Sequence, residues 1–191
     1  MTLGRLCFFG LAGAMAVGCG EDEIPLQVEF YYETNCLDVG GGCSTRDHEL
    51  TGKNGDAIPN LAGAKLGIEC NIVEAGDTKV VTSLRVQDQP ITVSQPDNGF
   101  HIRNGRLSVG SSMTCEDDGV QLFDENEFIG ACTGLADGAC QIGVNEYSKK
   151  KGRLVLEIDC QNLAPRAGTT RRSVANGLLT VQGCDVSEDT R

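Results

Sequence analysis

From residue 26 onward, apolar and polar positions alternate with a period of two in run after run. That spacing puts every second side chain on one face of an extended chain, so each run reads as a half-buried β-strand. LQVEFYY places Leu26, Val28, Phe30 and Tyr32 on one face, KLGIECNIVE does the same with Leu66, Ile68, Cys70 and Ile72, and KVVTSLRVQ with Val80, Thr82, Leu84 and Val86. GRLVLEIDC sets Leu154, Leu156, Ile158 and Cys160 against Arg153, Val155, Glu157 and Asp159. CEDDGVQLF, EFIGACT, QIGVNEY and GLLTVQGC supply further strands. Asn104-Gly105, inside GFHIRNGRLSVG, predicts a hairpin closed by a two-residue turn. The glycine-rich stretch 36–63 is expected to be a long loop holding a short helix or an edge strand. SVANGLLTV carries a helix-like pattern, but Gly177 and its β-branched residues favour a strand.

These strands, with few helix-period stretches between them, predict an all-β fold. The expected form is a disulfide-stapled antiparallel β-sandwich or jelly roll whose facing sheets bury the apolar sides, with a small or flattened barrel as the next choice. LGIEC, RLVLEIDC and LLTVQGC each end an alternation in cysteine. Stapling at strand ends is preferred over a remote internal repeat.

The first residues follow another pattern. Arg5 is the only charge before Glu21, and the run from Leu6 to Val17 is apolar and small. It is too short to span a bilayer and suits the core of an export signal. It closes on Ala16-Val17-Gly18-Cys19, which resembles the lipobox of bacterial lipoproteins. The resemblance covers residues 1–19. It implies that residues 1–18 are a signal peptide, that Cys19 opens the mature chain and carries lipid on its sulfur and amine, and that the protein sits in the cell envelope, attached to the membrane through that anchor. Each buried CH₂ of an acyl chain such as palmitate contributes about 0.8 kcal/mol, so more than one chain gives stable anchoring. Gly20 follows the cysteine; an aspartate there would resemble an inner-membrane retention signal, so the glycine leans towards the outer membrane. Residues 19–25 then form a polar tether and 26–191 a single domain, long enough to bury a core.

Cysteine usage agrees with export. Of ten cysteines, Cys7 leaves with the leader and Cys19 takes lipid, so Cys36, Cys43, Cys70, Cys115, Cys132, Cys140, Cys160 and Cys184 remain. An even set outside the cytoplasm reads as a disulfide framework. Adjacency along the chain suggests Cys36–Cys43, Cys70–Cys115, Cys132–Cys140 and Cys160–Cys184.

Charge excludes some partners. The chain carries −11, or −12 once Arg5 leaves with the leader, which disfavours nucleic acid and anionic lipid as general partners. Zero Trp and three Tyr argue against stacking platforms for bases or sugars. Basic residues nevertheless concentrate in 145–175 as Lys149, Lys150, Lys151, Arg153, Arg166, Arg171 and Arg172. If loops 149–153 and 166–172 converge, they form an anion-binding patch on an acidic body.

Catalytic chemistry finds little support. His48 lies in CSTRDHEL with Ser44 and Asp47, residue types a Ser–His–Asp site uses. No G-x-S-x-G elbow surrounds any serine, and His48 is read as a solvated loop residue. His101 is expected at the surface or the sheet rim. Neither histidine has a second at zinc-ligand spacing, no C-x-x-C occurs, and no phosphate-binding glycine fingerprint appears. CEDDG and FDENEF bring Glu116, Asp117, Asp118, Asp124, Glu125, Asn126 and Glu127 close in sequence. Of these, Asp117, Asp118, Asp124 and Glu127 are candidates for a structural calcium, the one cofactor the residues suggest. A solvated acidic loop is the plainer reading.

Together these features describe a lipid-anchored cell-envelope protein with a non-catalytic structural or interaction role. Its partner is an unidentified envelope protein or glycan. The alternatives are a module binding a polyanionic or small ligand through the basic loops, and a hydrolase around Ser44, Asp47 and His48.

Overall fold

The computed structural model describes residues 24–37, 44–59, 61–89, 96–115, 119–124, 126–132 and 137–189. The strands are β1 (Gln27–Cys36), β2 (Arg46–Lys53), β3 (Gly67–Ala75), β4 (Thr78–Gln87), β5 (Asn98–Leu107), β6 (Val120–Asp124), β7 (Asn126–Gly130), β8 (Ala139–Ser148), β9 (Arg153–Pro165), β10 (Arg172–Gln182) and β11 (Asp185–Glu188). They form one sheet in the order β11-β3-β4-β5-β6-β7-β9-β10-β1-β2, with β8 paired to β9 off this path. The sheet curls into a half-barrel. The expected all-β, disulfide-stapled class is present. The strands are joined by hydrogen bonds into one sheet, where two facing sheets were expected. The cause is β9, the longest strand: most of it pairs with β8 and β10, while Ala164 and Pro165 near its end pair with β7. Among the described strands every strand pair is antiparallel except β11 with β3, and an isolated bridge from Ala131 to Ala139 is also parallel.

Alternation decides what faces inward. Val28, Phe30 and Tyr32 of β1, Ile68, Cys70 and Ile72 of β3, and Leu154, Leu156, Ile158 and Cys160 of β9 all enter one core, as their spacing requires. On β4 the pattern breaks. Its register against β3 slips between Asn71↔Ser83 and Ile72↔Val81. This bulge flips the alternation, so Val81 rather than Val80 is buried with Leu84 and Val86.

The Asn104-Gly105 hairpin is not formed. Residues 98–107 are the single strand β5, paired to β4 from Gln87↔Gly99 to Lys79↔Leu107. Asn104 does take a left-handed conformation (φ 49°), yet Gly105 serves packing. A Cβ there would collide with Met113 Sδ and approach Ile102 Cγ2 to 3.2 Å. The stretch 36–63 contains the edge strand β2. SVANGLLTV is strand, as its composition favours. The four-residue β11 was not anticipated.

Three of the four adjacency pairings are wrong. The disulfides are Cys70–Cys184, Cys115–Cys132 and Cys140–Cys160, with Cα–Cα distances of 4.7, 5.3 and 3.9 Å. Neighbours in sequence are not neighbours in the sheet. Cys140 and Cys160 are direct cross-strand partners on β8 and β9, and the parallel return of β11 beside β3 sets Cys184 against Cys70. Cys36 is also disulfide-bonded, while Cys43, its expected partner, lies outside the described residues.

Candidate functional site

β2 is an edge strand, and a groove of about 690 Å³ runs along it. Residues 46–51 form one wall, and Ile58, Pro59, Leu61 and Asn98 complete it. Period-two geometry sends Arg46, His48 and Leu50 to the inner side and Asp47, Glu49 and Thr51 to the other. Asp47 and Glu49 are exposed, and Leu50 is buried.

A buried polar network underlies this groove. His48 is the cross-strand partner of Tyr32, and their rings stack with centroids 4.4 Å apart and planes 10° from parallel. Tyr32 stacks in turn on Phe30 at 4.5 Å, and Phe30 meets Phe100 edge-on at 5.9 Å. His48 Nε2 is 2.8 Å from Thr34 Oγ1, and the Thr34 hydroxyl donates to Asp124 Oδ2 at 3.1 Å. A hydroxyl has one proton, so Thr34 must accept from His48, which assigns the proton to Nε2. Arg46 Nη1 donates to Asp124 Oδ1 at 3.3 Å. Arg172 Nε lies 3.0 Å from Asp124 Oδ2 as an ion pair, although its N–H is not aligned for a hydrogen bond. Arg172 Nη1 donates to the Ser44 carbonyl at 2.9 Å. Thr34, Asp124 and Arg172 are all buried.

Electrostatics follow from that burial. Desolvation pulls the His48 pKa below its ordinary value. The Asp124 carboxylate opposes this shift, whereas Arg46 and Arg172 reinforce it. His48 is therefore a neutral imidazole at pH 7. Tyr32 is held well above its ordinary pKa by burial and by the charges of Asp124 and Asp88; its hydroxyl lies toward the Gly99 backbone without a well-formed hydrogen bond. Asp88 is raised by burial, partly offset by the N–H groups it accepts. These come from Asp97 and Asn98 of the backbone and from the Asn98 side chain. No family model matches the chain, and no curated protein or solved structure matches it either.

The polar groups of this network are paired with one another. Thr34 Oγ1, the hydroxyl nearest the histidine, is inaccessible and has committed its proton to Asp124. Asp47 and His48, successive on a strand, leave by opposite faces. His48 belongs to the edge strand rather than to a solvated loop. His101 is 2 % exposed, a correction of its expected surface position. It sits between Arg85 of β4 and Gln121 of β6, with Nδ1 2.9 Å from Gln121 Oε1 and no hydrogen-bond partner for Nε2 among the described residues. Desolvation lowers its pKa to about 4.

The acidic candidates are occupied or undescribed. Asp117 and Asp118 lie outside the described residues. Asp124 is held by its two arginines, and Glu127 pairs with Arg166 at 2.6 Å and accepts from Gln121 at 2.9 Å. Among the described residues no group of three His, Cys, Asp or Glu side chains could hold a metal ion.

The basic loops do not converge. Loop 149–153 meets one end of β9 and loop 166–172 leaves the other, roughly 40 Å apart along a strand of that length. Lys149 bridges Glu74 at 2.7 Å and Glu188 at 2.5 Å, Arg153 pairs with Glu146 at 3.1 Å, and Arg171 donates to the Asn162 carbonyl. Lys150 and Lys151 are exposed beside a separate hollow of about 940 Å³. Arg172 turns inward while Arg171 stays out.

Sequence reasoning missed Tyr32, Thr34, Arg46 and Asn98 as site residues. One signal was present: Thr34 is the next inward position after Val28, Phe30 and Tyr32, and a polar residue there needs a buried partner.

Proposed function

We propose that this protein is a lipid-anchored component of the bacterial cell envelope, held through Cys19 and sited at the outer membrane, whose β domain has a non-catalytic interaction role. The observation that carries the reading is the oxidised framework. Cys36, Cys70, Cys115, Cys132, Cys140, Cys160 and Cys184 are all disulfide-bonded, the state expected outside the cytoplasm. The lipobox-like cysteine lies outside the described residues.

The fold fits an anchored domain. The carbonyls of Ile24 and Pro25 press on Gly183, where a Cβ would come within 2.6 and 2.7 Å of them. The chain thus enters the domain at a fixed place beside Lys149–Lys151. From Cys19 to Ile24 the backbone spans at most about 17 Å, so an anchor would hold the domain close to the bilayer. The non-catalytic half of the reading is supported by His48 and Thr34 being committed to each other and to Asp124. We also read the curled sheet as an open variant of the sandwich, since strands of both its halves contribute to one core.

Growth with an alkyne-tagged palmitate analogue, followed by membrane fractionation, tests the anchor. The native protein takes up label and sediments with membranes, whereas Cys19→Ala loses both. Label retained by Cys19→Ala would remove the assignment. A second reading, a polyanion-binding module, rests on exposed Lys150 and Lys151 alone. It predicts salt-sensitive retention on a sulfated glycan that Lys150→Gln/Lys151→Gln abolishes.

A further inference from the structure

We infer that the free edge of β2 is a docking site for an extended, basic peptide segment of a partner protein, which pairs with the edge as an added strand. The inference rests on the interaction half of the reading above and not on the lipid anchor.

The groove lies along the strand's edge. Residues 46–51 all line it, although successive side chains leave opposite faces of a strand. A groove that both sets reach runs along the unpaired edge. Among the described residues, no backbone hydrogen bond from 47–51 reaches anything but β1. The outward N–H and C=O groups therefore face the groove. Such an edge is a template for strand addition: main-chain hydrogen bonds provide affinity and side-chain pockets provide selectivity.

The pocket requirement is also met. Ile58 and Leu61 form the opposite apolar wall, and Leu61 is 39 % exposed. The same two residues line a second hollow of about 430 Å³, so an apolar side chain of an added strand has a place to go. Six strand residues extend about 20 Å, a length that suits a peptide better than a small ligand.

Charge selects the occupant. Asp47 and Glu49 stand exposed two residues apart, at the repeat of a neighbouring strand's side chains on that face, and the whole chain carries −11. A partner strand with basic residues at alternate positions complements them. A second copy of this chain would bring its own Asp47 and Glu49 and a further −11, which opposes pairing of two such edges.

The probe is an acetylated, amidated octapeptide of alternating lysine and valine, added to the oxidised mature protein. Hydrogen exchange of the backbone amides is the readout. Amides in 47–51 that do not pair with β1 are expected to slow by at least about tenfold. The same peptide N-methylated at every residue keeps its charge and apolar groups but has no backbone N–H, and it gives no protection. Asp47→Lys/Glu49→Lys, at exposed positions, weakens binding by at least about tenfold, and Leu61→Asp weakens it with the charges untouched. Equal binding of the N-methylated peptide would show attraction by charge alone and overturn the inference. Absence of protection would overturn it, as would protection that rises with protein concentration before peptide is added, which assigns the edge to a second copy. A chain found without lipid on Cys19 leaves each of these outcomes unchanged.

Discussion

Replacing Asp124 with alanine strikes the centre of the network beneath the groove. Its carboxylate is fully buried and faces Arg172, whose side chain is 4 % exposed, at 3.0 Å. Removing one member of a buried ion pair leaves the other charge desolvated without compensation, which costs about 3–5 kcal/mol. Arg46 is 37 % exposed and 3.3 Å from the other oxygen, so its share is below about 1 kcal/mol. Thr34 also loses its acceptor and leaves a buried hydroxyl proton unpaired. The expected loss for Asp124→Ala is therefore about 4 kcal/mol, a large part of the stability of a domain this size. Urea unfolding of the oxidised protein measures it, provided the slope m is unchanged. The sharper test is the pair. Asp124→Ala/Arg172→Met removes both charges together and recovers at least about 2 kcal/mol of the single-variant loss. A loss below about 1 kcal/mol for Asp124→Ala, or additive costs in the double variant, would refute the claim that these two charges hold each other in the core.

The disulfides are expected to rank by the loops they close. Sequence separations of 114, 20 and 17 residues for Cys70–Cys184, Cys140–Cys160 and Cys115–Cys132 give about 5, 3 and 3 kcal/mol in the chain-entropy account. Paired serine replacements followed by urea unfolding check this order, and Cys140–Cys160 costing more than Cys70–Cys184 would contradict it. His101 predicts acid sensitivity. Its folded pKa of about 4 lies below the ordinary value of 6.5, so the unfolded chain binds the proton first on acidification. Its stabilising effect is complete above pH 6.5 and is lost as the pH falls towards 4, by up to about 3 kcal/mol. His101→Gln should reduce the loss of stability between pH 7 and pH 4 by that amount, and an identical pH profile in the variant would exclude His101 as the cause.

The strands were legible because a period-two pattern survives wherever one face meets the core, as in β1, β3 and β9. It failed where the backbone departs from regular pairing. The bulge in β4 exchanged Val80 for Val81, a change that no count of apolar residues anticipates. Asn104-Gly105 carried a correct local signal, a left-handed asparagine, but the glycine answers to Met113 across the core, so β5 runs straight through. The disulfide pairs depend on which strands lie side by side, and β9 reaching from β10 to β7 is a long-range fact. The site was less legible for the same reason. Thr34, Arg46 and Arg172 come together on the neighbouring strands β1, β2 and β10, but Asp124 on β6 joins them only when the sheet curls. Arg171-Arg172 looked like one basic pair until strand geometry sent one outward and the other into the core.

Intact mass analysis of the protein extracted from membranes, before and after reduction and alkylation, tests the central claim of an exported, acyl-anchored and oxidised domain. The account predicts a chain that starts at Cys19, carries acyl mass on that residue, and gains alkylation at Cys36, Cys43, Cys70, Cys115, Cys132, Cys140, Cys160 and Cys184 only after reduction. A chain starting at Met1 with thiols that alkylate without reduction would contradict it.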